Sequence, residues 1–155
     1  MNFSVNEWLK GSTAHNIVLL SWLEFKRVIN KIELWIAILN PIRNRLGFPI
    51  VITDGYRYGK GTSQHLFEGD GATDLRAGID PDYENRMKRL GEELADHPEI
   101  YRVCYYPKGK MFPRGGFHID RKAKGKFLFI SNPDSPTWRL VSRKEFIDCL
   151  DPKSK

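Results

Sequence analysis

Val28, Ile32, Trp35, Ile36, Leu39 and Ile42 recur mostly at steps of three and four residues, and directly after Gly47 the pattern changes to the short β-branched run Pro49 to Thr53. The first pattern predicts a long helix from about Asn16 to Leu46 with one stripe facing a core. Pro41 lacks an amide proton and disfavours a helical residue before it, so it is expected to break or kink that helix. Gly47 is expected to close it. The second pattern predicts a buried strand. A chain that makes this switch once, without repeating it as a regular alternation, belongs to the mixed class.

The rest of the chain supports that class. Asp54 to Thr62 is rich in glycine and polar residues and reads as a loop, and Ala72 to Leu75 as a second strand. Asp80 followed by Pro81 predicts a helix start, continued on one face by Tyr83, Met87, Leu90 and Leu94. Ile100 to Tyr106, Gly116 to Asp120, Lys126 to Ile130 and Thr137 to Val141 are strand candidates, and Ser142 with Glu145 forms a capping box for a last short helix. The expected architecture is α+β: a small antiparallel or mixed sheet with helices packed against it. At 155 residues, one domain spanning 1–155 is expected.

Composition narrows the function classes. Cys104 and Cys149 are the only cysteines, and their isolation argues against both a disulfide framework and a cysteine metal cluster. Both are expected to be reduced core residues. The N-terminal segment has Glu7 and lacks the basic start, apolar run and small-residue cleavage site of a secretory signal, so synthesis in the cytoplasm is expected. Lys26, Arg27, Lys31 and Glu33 interrupt the best apolar run, well short of the roughly 20 residues a membrane span needs. No membrane insertion is expected. The formal charge of +6 suits an acidic partner such as nucleic acid or an anionic bacterial wall. Lys108, Lys110, Arg114, Arg121, Lys122, Lys124 and Lys126 form a basic run among aromatics, although such a run is most often a solvated face. A nucleic-acid partner is not expected.

Of the four histidines, His15 and His97 lie in surface-like contexts. His65 is followed by Asp74 on the next predicted strand, and His118 sits within another. Two histidines and a carboxylate, with a further position for water, are what a catalytic zinc requires. Spacing alone leaves the structural or incidental reading of these histidines open.

Their surroundings add to this. Asn40 to Arg57 leads through a helix end and a strand into Gly55-Tyr56-Arg57 and then Ser63-Gln64-His65; later, Tyr105-Tyr106-Pro107 precedes Gly116-Phe117-His118-Ile119-Asp120. This order resembles the zinc D-alanyl-D-alanine carboxypeptidase family, which includes phage endolysins and shares its fold with the hedgehog signalling domain. The resemblance covers roughly residues 28–121. It implies that His65, Asp74 and His118 bind zinc, that Arg57 holds a carboxylate or carbonyl of a peptide substrate, and that Ser63 orders the loop. Tyr56 and Tyr105 would line the cleft or serve as core aromatics.

Two departures accompany the resemblance. Eight residues lie between His65 and Asp74, more than the family's usual spacing, which makes Glu68 and Asp70 rival ligands. The small-x-aspartate-apolar ending Ala72 to Leu75 favours Asp74. Gly115 stands where well-studied members carry an acidic general base, a loss of roughly a hundredfold or more in rate if nothing replaces it. Asp120 shares a strand face with His118 and is the substitute by geometry, or else a partner that orients the histidine. Asp54, in place of the family's serine, would pair with Arg57 or a lysine.

The expected function is a zinc peptidase cleaving a peptide bond of bacterial peptidoglycan, as a D,D-carboxypeptidase or endopeptidase. It would reach the wall after release, as a phage lysin does, or within a virion. The alternative is a catalytically weak or inactive zinc module that binds wall fragments or a protein.

Overall fold

Among the described residues, six strands form one mixed sheet in the order β1-β2-β4-β3-β5-β6. These are β1 (Ile50–Asp54), β2 (Ala72–Ala77), β3 (Arg102–Tyr106), β4 (Gly116–Asp120), β5 (Phe127–Ser131) and β6 (Trp138–Val141), joined by helices α1 (Val5–Trp8), α2 (Trp22–Leu46), α3 (Tyr83–Asp96) and α4 (Arg143–Leu150). The computed structural model describes residues 2–8, 21–55, 65, 71–79, 81–122, 125–135 and 137–151. All strand pairs are antiparallel except β3 with β5. Among the described residues the chain is therefore α+β, with a mixed sheet.

The pleat divides the sheet's side chains cleanly. Successive residues point to opposite faces, and the registers align Ile52 with Leu75, Leu75 with Phe117 and Phe117 with Tyr105. Ile119, Val103, Leu128 and Ile130 follow the same parity, and all eight belong to the hydrophobic core. Each such aliphatic side chain contributes about 1.5–3 kcal/mol by leaving water. Helix α3 lies against β2, β3 and β4, and α4 against α3 and β5. The opposite face carries Asp74, His118, Asp120, Arg102 and Cys104.

Helix α2 begins at a full capping box, in which Ser21 Oγ accepts from Glu24 N and the Glu24 carboxylate accepts from Ser21 N. The expected start near Asn16 lies outside the described residues. Pro41 does not break the helix, which runs on to Leu46. Pro41 and Ala37, whose carbonyl would have paired with the missing amide, both lie on the exposed side, where water can replace the lost bond. The stripe buries Val28, Ile32, Trp35, Ile38, Leu39, Ile42 and Leu46, with Ile36 only half-buried. Gly47 closes the helix in the left-handed conformation.

Helix α3 also differs from expectation. It starts at Tyr83, after a turn at Pro81 and Asp82, and Asp82 makes no capping hydrogen bond through its side chain. Its C-terminal end is held instead by Lys126, whose ammonium donates to the carbonyls of Leu94, His97 and Ile100. At α4, Ser142 caps Glu145 N as expected, while the Glu145 carboxylate turns to Arg139. Cys104 is buried and Cys149 half-buried, and both are free thiols. No helix among the described residues is long and apolar enough to cross a membrane.

The first residues are tied down by long-range contacts. Phe3 N donates to Asn40 Oδ1 at 2.7 Å, and the Arg43 guanidinium sits 4.0 Å above the Phe3 ring. Phe3 meets Trp8 edge-on, and Trp8 Nε1 donates to Thr73 Oγ1 at 3.0 Å. Through α1, the N-terminal segment thus spans α2 and the start of β2.

Candidate metal centre

His118 and Asp74 face each other across the β2–β4 pair, direct partners in register. His65 comes from outside the sheet and completes a triangle. His118 Nδ1 lies 2.8 Å from Asp74 Oδ1, His65 Nε2 lies 3.2 Å from His118 Nδ1, and His65 Nε2 lies 3.3 Å from Asp74 Oδ1. In a tetrahedral zinc site with bonds near 2.0–2.1 Å, ligand atoms stand about 3.3 Å apart. The three atoms are spaced as such a face requires, and this group could hold a metal ion.

The partners behind each ring decide what the triangle presents. His65 Nδ1 faces the Gly55 carbonyl at 2.5 Å and must donate to it. That leaves the Nε2 lone pair facing inward. His118 Nε2 lies 3.0 Å from Asp120 Oδ2 and donates there, which leaves the Nδ1 lone pair facing inward too. Among the described residues, two imidazole lone pairs and a carboxylate oxygen therefore converge on one point. Three acceptors so close repel one another unless a positive charge joins them. Either one proton or one cation satisfies the arrangement.

The electrostatics agree. Burial opposes ionisation of Asp74, but hydrogen bonds to His118 and His65 overcome it and hold its carboxyl far below the usual range. Burial likewise opposes a charged His118, yet the carboxylates of Asp120 and Asp74 raise its pKa above the ordinary histidine value. A proton on His118 Nδ1 would fill the same place as a cation between the three atoms.

Asp120 lies on the far side of the His118 ring from the triangle. It is fully buried and saturated: Arg102 Nε donates to its two oxygens at 2.7 and 2.9 Å, Arg102 Nη2 donates to Oδ2, and Lys122 N donates to Oδ1 at 3.0 Å. Against the penalty of burial, the hydrogen bond from His118, followed by those from Arg102 and Lys122, brings its pKa down to about 2. Of the two roles expected for Asp120, this placement matches the orienting one.

Asp54 is positioned differently. A register shift between Ile52 and Asp54 sets Asp54 opposite Asp74 at the end of β1. Bulges of this kind re-aim a strand's last side chain and recur beside active sites. Gly115 has φ 65°, and a Cβ there would come 2.8 Å from the Tyr106 carbonyl oxygen. No side chain fits that position without displacing backbone.

An aromatic wall flanks the triangle. The Trp138 ring lies 5.0 Å from that of His118 and 5.8 Å from Phe129. Tyr106 meets Trp138 edge-on and stacks on Phe112 at 4.0 Å. Trp138 continues into a groove bordered by Pro107, Asn132 and Thr137. Tyr105 is a core aromatic, packed on Phe117 at 5.4 Å, and burial pushes its hydroxyl up to about 12.

No family model matches the chain, and no curated protein or solved structure is significantly similar to it. The chemistry open to the centre is thus set by its own atoms. The structure brings His65, Asp74 and His118 together; Arg57, Tyr56, Ser63, Glu68 and Asp70 lie outside the described residues. Four contributors escaped the sequence reading: Arg102, which saturates Asp120; the Gly55 carbonyl, which sets His65; Trp8; and Trp138. Only Arg102 left a local trace, as a charge inside an otherwise apolar strand. Three members of the expected basic run have partners: Lys108 pairs with Glu84, Arg121 lies 5.2 Å from the Tyr101 ring centroid, and Lys126 caps α3.

Proposed function

We propose that the protein is a zinc-dependent peptidase acting on a peptide bond of bacterial peptidoglycan, with His65, Asp74 and His118 as the metal ligands. The observation that carries this reading is the convergence of two imidazole lone pairs and one carboxylate at zinc-like spacing. Two nitrogens and one oxygen form the donor set of a hydrolytic zinc site, which keeps a position open for reactants. Zinc there would supply Lewis acidity toward the scissile carbonyl and acidify water at neutral pH.

The chain's own residues do the rest. Asp120, held by Arg102, fixes the tautomer and orientation of His118, a role outer carboxylates commonly fill for ligating histidines. Asp54 is the carboxylate we assign to proton transfer, because the strand register sets it beside Asp74 while Asp120 is committed behind the ring. Trp138, with Phe129 and Tyr106, offers a wall against which the substrate chain lies beside the ligands. Arg57 would hold a carboxylate or carbonyl of the substrate, for which its guanidinium fork is suited. The D,D-carboxypeptidase and endopeptidase forms share all these parts, and the family resemblance around residues 28–121 points to both. Action on the wall follows from the substrate, after release from the cell or from a virion.

A second reading has its own observation. Gly115 leaves the family's acidic position empty and sterically closed, as in a zinc module that binds wall fragments without turnover. One experiment separates the two: incubate the protein with purified peptidoglycan, with and without a zinc chelator, and follow released amino groups and peptides by mass spectrometry. Chelator-sensitive cleavage is the expected result and names the bond. Zinc binding without release from several wall types would favour the module.

A further inference from the structure

The two histidines of the triangle are oriented by different parts of the chain. His118 stands in a central strand with Asp120 and Arg102 behind it. The ring of His65 is oriented through Nδ1 by the backbone carbonyl of Gly55, just past the end of β1. What holds Gly55 therefore bears on where His65 points. Gly55 is pressed against Trp8: a Cβ on Gly55 would lie 2.7 Å from Trp8 Cδ1 and 3.2 Å from the Trp8 carbonyl oxygen. The same indole donates from Nε1 to Thr73 Oγ1 at 3.0 Å, and Thr73 directly precedes Asp74 on β2. Thr73 is buried on the core side, so anchoring it fixes the direction in which Asp74 leaves the strand.

We propose that Trp8 is a positioning residue for the metal centre, a single indole that sets the Gly55 carbonyl behind His65 and the Thr73 hydroxyl beside Asp74. Trp8 is 2% exposed, and its indole donor goes to Thr73 rather than to a ligand atom. Its effect travels through its neighbours. A four-residue helix cannot hold itself in water, and α1 is held by the Phe3–Asn40 hydrogen bond and by Arg43 over Phe3. A cavity of about 20 Å³ borders Trp8, Trp35, Gly71, Ala72 and His65. Shrinking Trp8 would enlarge that space and free the His65 ring to turn.

This inference rests on the metal reading above, and its test separates the two. Zinc affinity is measured by competition with a chromophoric chelator, and ligand geometry by the visible spectrum of the cobalt-loaded protein, for wild type, Trp8→Phe, Trp8→Leu, Thr73→Val and the double variant Trp8→Phe/Thr73→Val. Trp8→Phe keeps the ring against Gly55 and loses only the donor; Trp8→Leu loses both. The expected weakening is a few-fold for Trp8→Phe and for Thr73→Val, no more for their combination, and on the order of tenfold or more for Trp8→Leu, with an altered cobalt spectrum. Phe146→Leu, in the core of α4, is the control for general destabilisation and should leave affinity unchanged despite a lower Tm.

Wild-type affinity in every Trp8 and Thr73 variant would overturn the proposal. So would a loss matched by Phe146→Leu, because the indole would then act only on the fold. If Trp8→Leu fails to fold, Trp8→Phe and Thr73→Val still decide. Wild-type protein that binds no zinc would sink the metal reading and this inference with it.

Discussion

Replacing Asp120 with asparagine exchanges one carboxylate oxygen for an amide group at nearly constant volume. Every partner of Asp120 is a donor: Arg102 through Nε and Nη2, His118 through Nε2, and Lys122 through its amide. An amide nitrogen in the Oδ2 place meets His118 Nε2–H and Arg102. The alternative places it against Lys122 N–H and Arg102 Nε–H. The first orientation forces His118 to exchange tautomers, which puts a proton on Nδ1 and removes the lone pair the triangle needs. The second leaves buried donors unpaired, at about 1–3 kcal/mol. Loss of the carboxylate's charge adds about 2 kcal/mol at neutral pH, because its pKa is drawn from 3.8 down to about 2 and each unit is worth about 1.4 kcal/mol. A depressed carboxylate stabilises the fold above about pH 4 and loses that contribution as the pH falls toward 2. Metal affinity should fall roughly 10–100-fold, with Tm lowered at pH 7 and much less at pH 2–3. A chelator competition titration reads the first effect and thermal unfolding the second. Asp120→Asn with zinc affinity within about twofold of wild type would refute the orienting role.

Asp54→Asn should do the reverse, lowering turnover on peptidoglycan by about a hundredfold or more while zinc affinity stays unchanged; parallel turnover in both proteins would remove Asp54 from the reaction. The raised pKa of His118 stabilises the metal-free fold fully below about pH 6.5, and that contribution fades as the pH climbs through the folded value. Zinc uptake near pH 6.5 should therefore release about one proton, measurable as a dependence of the calorimetric heat on buffer ionisation enthalpy, and zero release would contradict the shared-proton picture. Gly115→Ala places a Cβ against Tyr106 at positive φ, a cost of about 1–2 kcal/mol from the left-handed backbone alone, so Tm should fall by roughly 2–8 °C. Gly115→Glu should destabilise as well and bring no gain in turnover; a faster enzyme would show that the loop accepts the side chain.

Much of this was visible in the residues. Gly116 to Asp120 reads as a strand because it is short, apolar on alternate positions and bounded by glycine and charge, and those are its limits in the structure. His65, Asp74 and His118 stand out in the sequence as two histidines and an aspartate on neighbouring predicted elements, in an order that resembles the zinc carboxypeptidase family, and the structure brings the three together. What stayed hidden depends on distance along the chain. Trp8 and Thr73 lie 65 residues apart, and no local pattern records their contact. Pro41 misled because the rule against proline inside helices assumes that the orphaned carbonyl is shut off from water, and here that side is exposed. The helix start expected at Pro81 misled because Pro81 and Asp82 form a turn before the helix begins at Tyr83. The capping box of Ser21 and Glu24 was legible but lay inside a helix already drawn longer.

The order of the ligands along the chain has a consequence for biosynthesis. His118 follows Asp74 by 44 residues and His65 by 53, and its strand inserts between β2 and β3, both made earlier. A chain still short of β4 carries two ligands and no partner strand to space them. On the proposed metal reading, loading of the ion would wait until β4 has been made and paired with β2, and a truncated product lacking β4 would not retain it.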